Sequence, residues 1–238
     1  MHVETLGSGP RLVLVHGSGG NAGWPSQQEL ADRYTLVMPT RSGYPPNPPQ
    51  EDIDFDVQAG ELLEILEPGD HLVGHSYGGV VALVSAPHAE LGSLVVLEPP
   101  AFRVARDHPV VERLVAKLKP LWPTDLPPED FLRRFVETVG AVYNAPSPLP
   151  PGMEASVRAM MVERAPWEAV IELDGLASAP FPKLVVSGGH SEAFDAICDA
   201  LEEGLCAERR VVGGAGHSIP RAPGLNEVLS DFVDRATR

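Results

Sequence analysis

Six short apolar runs recur along this chain, and they do not alternate with polar residues: 11–15, 34–38, 71–74, 93–97, 183–186 and 210–212. Runs of that length without alternation are expected of strands buried on both faces, as in a parallel sheet covered by helices. The stretches between them supply the helices. Phe55, Ala59, Leu62, Leu63 and Leu66 form one apolar stripe at helical spacing. Phe194, Ile197, Cys198, Leu201 and Leu205 form a second, and Leu225, Val228, Leu229, Phe232 and Val233 a third. The strand–helix alternation stops between residues 99 and 182. Helices are expected there at 110–118, 128–142, 153–165 and 167–173, with proline-rich joints at 120–128 and 146–151. The expected organisation is an α/β core formed by residues 1–100 and 181–238, interrupted by a helical cap at 101–180. Such an insertion can lie over the carboxyl ends of the strands, where open α/β sheets bind ligands.

Charge narrows the partners. The 18 basic and 33 acidic residues give a formal net charge of −15. A chain so acidic repels phosphate backbones, which argues against nucleic acid and anionic membranes. No apolar run approaches the roughly 18 residues of a membrane span. The first five residues, Met1-His2-Val3-Glu4-Thr5, lack the basic patch and apolar core of a signal peptide. Cys198 and Cys206 lie eight residues apart on an expected helix, about 12 Å along its axis, too far to bridge each other. A reduced, cytoplasmic setting is expected. Only three lysines among the basic residues, with abundant Ala, Gly, Pro and Val, suggest a GC-rich bacterial source.

Three segments carry chemistry. Gly74-His75-Ser76-Tyr77-Gly78-Gly79 has the Gly-x-Ser-x-Gly pattern between a buried strand and a helical run at 80–86. That context makes Ser76 an expected nucleophile on a sharp strand-to-helix turn, above a helix N-terminus that favours developing negative charge. A bare glycine-rich turn with an incidental serine would not need the strand and the helix around it. His16-Gly17-Ser18-Gly19-Gly20 follows the first strong strand. Acyl transfer needs two donors for an oxyanion, and the backbone N–H groups of Tyr77 and Ser18 are the expected pair. Gly213-Gly214-Ala215-Gly216-His217-Ser218 follows the last strand, and a late-loop His217 can reach the serine as general base. Among the other histidines, His75 is expected to point away from the site and His16 to support its own loop. His2, His71, His88 and His108 are read as structural or exposed. No His/Cys/Asp cluster has zinc-ligand spacing, so neither metal nor cofactor is expected.

With these residues in view, the chain resembles the α/β-hydrolase family over nearly its whole length. The resemblance rests on the His16-Gly17 loop, Arg41-Ser42-Gly43-Tyr44 after the next strand, the elbow at 74–79, the helical insertion and the late His217. It implies a mostly parallel sheet with flanking helices and a cap inserted before the last two strands. It does not specify a substrate. The family usually places its triad acid just after the strand that follows the cap. Here Ser187-Gly188-Gly189-His190-Ser191-Glu192 follows, and Ser191 stands where an aspartate is expected. Other members carry the acid one strand earlier, where this chain has Glu98. Glu98 is the preferred acid, with Glu192 and Asp195 as alternatives and an acid-free triad also open.

The expected function is that of a cofactor-free serine hydrolase cleaving small or medium carboxylic esters, lactones or thioesters, with a small molecule as its partner. Serine at the elbow argues against the haloalkane dehalogenases and epoxide hydrolases of this fold, whose nucleophile is aspartate. Rival readings are another triad reaction (perhydrolysis, carbon–carbon cleavage, cyanohydrin lysis), a slow or non-enzymatic small-molecule binding protein, and a cofactor-free oxygenase-like role. Phe102, Leu121, Trp122, Met153, Met160, Met161 and Trp167 are expected mostly to pack the cap, a few of them lining an apolar pocket. Oligomeric state is not indicated.

Overall fold

The computed structural model describes residues 1–20 and 24–237. Among these residues, seven strands form one sheet: β1 (His2–Gly7), β2 (Arg11–Val15), β3 (Thr35–Thr40), β4 (His71–His75), β5 (Ser93–Leu97), β6 (Lys183–Ser187) and β7 (Glu208–Val211). Their spatial order is β1-β3-β2-β4-β5-β6-β7. β1 runs antiparallel to β3, and every other pair is parallel. The doubly buried strands explain the continuous apolar runs, because successive side chains enter opposite layers. Val13, Val15, Leu72, Leu94, Val96 and Val185 join one core. Leu12, Leu14, Val73, Val95, Leu97, Leu184 and Val186 join the other.

Helices α1 (Phe55–Leu63), α2 (Tyr77–Ser85) and α7 (Glu192–Leu205) cover the first face, and α8 (Leu225–Ala236) covers the second. Between β5 and β6 lie α3 (Pro109–Leu118), α4 (Pro128–Val139), α5 (Pro151–Met161) and α6 (Leu173–Ser178). The first three of these begin on a proline, whose missing N–H costs nothing in a first helical turn. The fold is thus the expected α/β arrangement, with its helical insertion placed before the last two strands.

Several boundaries differ from expectation. β1 carries no apolar run, because it is an exposed edge strand. β7 begins at Glu208 rather than Arg210. It too is an edge, and the apolar Val212 is buried just past its end. α4 stops at Val139, where Gly140 takes a left-handed conformation (φ 69°) and ends the helix. The helix expected at 167–173 does not form. A short 3-10 turn at Pro166–Glu168 is followed by extended chain, in which Ala169 and Ile171 are buried and Val170 is exposed. That alternation has the period of a strand, so the apolar residues there do not make a helical stripe. Cys198 is buried in α7, while Cys206 caps that helix at the surface, and both are free thiols. No described helix is long and apolar enough to cross a membrane.

Candidate active site

Ser76 follows β4 and precedes α2, with φ at 51°, a region that residues with side chains rarely occupy. The turn closes because its neighbours lack side chains. A Cβ on Gly74 would lie 2.6 Å from the Gly78 carbonyl oxygen, and one on Gly78 would lie 2.3 Å from that of His16. The Ser76 N–H donates to Leu97 O at 2.9 Å, so the turn is pinned to the end of β5. Glu98, one residue further, is the second strained position, with φ at 41°. Its N–H donates to Val186 O. The two residues therefore follow the carboxyl ends of adjacent central strands.

His217 joins them. Its Nε2 lies 2.9 Å from Ser76 Oγ and its Nδ1 2.7 Å from Glu98 Oε2. All three side chains are buried. The ring is stacked on Phe194 of α7, with centroids 4.4 Å apart, and its loop is held by the His217 N–H donating to Gly140 O. Burial alone would push the Glu98 carboxyl up. The bonds from His190 and His217, with the Gly188 N–H donating to Oε1 at 2.6 Å, overcome it and hold the group at about 2. Of the alternative acids, Glu192 is exposed in the first turn of α7. Asp195 accepts from Ser187 Oγ at 2.5 Å and faces Arg209.

His75 does not point away. Its Nε2 donates to the His217 carbonyl oxygen at 2.9 Å, and its ring lines the cavity in front of Ser76. Burial, then the neighbouring His217, push it down to about 3, so it is a neutral strut. His16 supports its loop as expected. Its Nδ1–H donates to Gly17 O at 2.7 Å, and its Nε2 accepts the Arg41 N–H.

Sequence reasoning passed over the role of Arg41, which is fully buried. Its guanidinium donates to the carbonyl oxygens of His16 and Gly17, to Gln58 Oε1 and to Glu163 Oε1. Tyr44 and Ser18 hydroxyls also donate to Glu163, at 2.6 and 2.5 Å. With the Gly17 carbonyl held by Arg41 and His16, the trans peptide turns the Ser18 N–H to the opposite side. Arg41 was visible beside Gly43-Tyr44, but its partner Glu163 lies 122 residues away and carries no local signal.

Two cavities meet at Ser76, Ser18 and His217. The larger, about 210 Å³, is walled by Leu132, Phe135, Met153 and Met160 of the insertion. The smaller, about 20 Å³, is walled by Tyr77, Phe102, Trp122 and Phe194. Four of the seven expected cap residues thus line a cavity, Phe102, Trp122, Met153 and Met160. Among the described residues, one group has metal-ligand character, Glu98, His190 and His217, with donor atoms within 4.8 Å of one another. Both rings there face a single carboxylate, an arrangement that protons satisfy.

A family model described as "Alpha/beta hydrolase family" matches residues 12–225. Among curated proteins, the chain is 36% identical over 111 residues to a pimeloyl-[acyl-carrier protein] methyl ester esterase of Aeromonas salmonicida. That match covers 44% of this chain and 44% of the relative, so the chain spans less than half the length of that relative. Among solved structures, an alpha/beta hydrolase from Sphaerobacter thermophilus superposes with a TM-score of 0.69 at 24% identity, over 97% of this chain and 95% of that one. A thermophilic esterase from Thermogutta terrifontis gives 0.67 at 19% identity, over 100% and 94%. At these identities the two structures establish the shared fold.

Proposed function

The chain belongs to the alpha/beta hydrolase family, and from that membership we propose that it is a serine hydrolase of small carboxylic esters, working without a cofactor. The observation that carries the reading is the continuous hydrogen-bonded chain from Ser76 Oγ through His217 to Glu98, at 2.9 and 2.7 Å, opening on an apolar cavity. His217 Nδ1–H donates to the carboxylate, which leaves the Nε2 lone pair facing the hydroxyl. Nε2 takes the Ser76 proton as Oγ attacks the ester carbonyl. The negative charge on the carbonyl oxygen is received by the N–H groups of Tyr77, at the start of α2, and of Ser18. Protonated His217 then gives its proton to the leaving alcohol. Water repeats the sequence to release the acid and restore Ser76. Glu98 stabilises the imidazolium in both halves.

The two cavities bear on substrate size. About 20 Å³ is close to the room of one water, so one side of the carbonyl takes a very short group. The other side, at about 210 Å³ and apolar, takes a longer chain. The insertion covers both, which favours a small molecule over a polymer, and the charge of −15 disfavours nucleic acid and anionic membranes. Two free thiols fit a reducing cytoplasm. The esterase name of the Aeromonas salmonicida relative agrees with the reaction class.

The test is hydrolysis of p-nitrophenyl esters from acetate to octanoate by the wild type and Ser76→Ala. Turnover that disappears in the variant, with Ser76 taking a fluorophosphonate label, is the expected result. A wild type that neither turns over nor labels would overturn the reading and favour a binding protein on this fold.

A further inference from the structure

Glu98 faces a second histidine. His190 lies in the loop between β6 and α7, and its Nδ1 is 3.3 Å from Glu98 Oε1, the carboxylate oxygen that His217 does not bond. Its Nε2 lies 3.1 Å from the carbonyl oxygen of Val139 at the end of α4. A carbonyl oxygen only accepts, so Nε2 carries a proton. An ionised carboxylate also only accepts, so a bare Nδ1 lone pair would face negative charge. The contacts are satisfied together only when both ring nitrogens are protonated. The ring has little freedom to escape this. It stacks on Phe194 with centroids 6.0 Å apart, and Gly140 lies so close that a Cβ there would sit 2.8 Å from His190 Cδ2.

We propose that His190 is a positioning residue, an imidazolium shared on Glu98 with His217, whose charge weakens the hold of Glu98 on a protonated His217. The functional half of this rests on the serine hydrolase reading. The charged and titratable groups around His190 are Glu98 after β5, His217 on the loop after β7, with ring centroids 6.2 Å apart, and Asp195 on α7, itself paired with Arg209 of β7. From α4 it meets the Val139 carbonyl and the Gly140 backbone. The bond to Glu98 outweighs the partial burial of the ring and pushes His190 up from its ordinary value. A cation there neutralises part of the Glu98 charge and repels a proton on His217. Both effects make the protonated His217 less favourable.

The experiment follows the side-chain nitrogens of His190 and His217 by 15N NMR across pH. It uses the wild type, His190→Gln, which keeps a donor but no charge, and His190→Lys, which keeps the charge. The pH profile of kcat/KM on a p-nitrophenyl ester is recorded beside it. The expected result is a wild-type His190 with both nitrogens protonated at pH 7. The His217 midpoint should rise by at least about half a pH unit in His190→Gln, the shift for unit charges about 6 Å apart even at the dielectric of water, and return toward wild type in His190→Lys. A neutral His190 at pH 7, or a His217 midpoint that stays or falls in His190→Gln, would overturn the proposal. Should the variants fail to fold, the wild-type spectrum alone decides whether His190 is charged. Failure of the hydrolase reading shows separately, as absent turnover and labelling, while the His217 midpoint can still be read.

Discussion

Glu98 sits at 0% exposure with ionised character, an arrangement that costs several kcal/mol unless both oxygens are satisfied. His217 and the Gly188 N–H bond one oxygen each, and His190 faces the second. The same groups fix its function in the proposed reaction, since only an ionised partner stabilises a charged His217. Glu98→Gln should therefore lower kcat by about 10²- to 10⁴-fold, while Glu192→Gln and Asp195→Asn leave it near wild type. Steady-state kinetics on a p-nitrophenyl ester check this. A near-normal Glu98→Gln beside a crippled Asp195→Asn would move the acid to α7. Glu98 was legible in the sequence as a glutamate between a buried strand and Pro99-Pro100. His190 was not, because nothing near it in the chain announces the carboxylate it meets.

Between elements, a fully buried ion pair joins the end of β3 to the segment after α5. Arg41 and Glu163 are both buried, with Nη2 and Oε1 2.6 Å apart, and the Arg41 guanidinium lies between the rings of Tyr44 and Tyr77. This pair anchors the insertion to the loop that carries Ser18. Removing one partner leaves the other charge buried and unpaired. Glu163→Ala should thus cost about 3–5 kcal/mol of stability by chemical denaturation. The double variant Arg41→Met/Glu163→Met should lose less than the sum of the losses of Arg41→Met and Glu163→Met measured alone. Additive losses would mean that the pair is not coupled. The helices of the insertion were legible where proline starts them and an apolar stripe runs through them. The stretch at 167–173 was not, since its apolar residues fit both a short helix and the extended chain that packing selected.

Across the whole molecule, pH acts through histidines held neutral. Burial pushes His16 and His75 down, His75 to about 3, and His71 moves the same way. The unfolded chain takes up protons at these positions as pH falls below about 6.5, and the folded chain does not. Their contribution is present above that pH and is lost on further acidification, for His75 down to about 3. Glu98 adds a further loss between about 4.5 and about 2. His190 acts with the opposite sign, since its raised value stabilises the fold at low pH and loses that effect as pH rises through its folded value. Three groups against one predict a melting temperature that falls from pH 7.5 to pH 5. A flat or rising profile in thermal melts would contradict the neutral assignment of His16 and His75.

The linear sequence by itself determined the central sheet, because strands buried on both faces must be apolar throughout, and that pattern is local. It also determined the elbow at Ser76, because a turn that tight requires glycine at 74 and 78. The edge strand β1 escaped it, since an exposed strand carries no apolar requirement. Only the tertiary structure decided which carboxylate meets His217, that His75 turns inward, that Glu163 neutralises Arg41, and that His190 shares Glu98. Each of these is a contact between segments far apart in the chain, set by how β3, β5, β6 and the insertion converge on one end of the sheet. The pairing of buried charges depends on that convergence, and no spacing within any one segment records it.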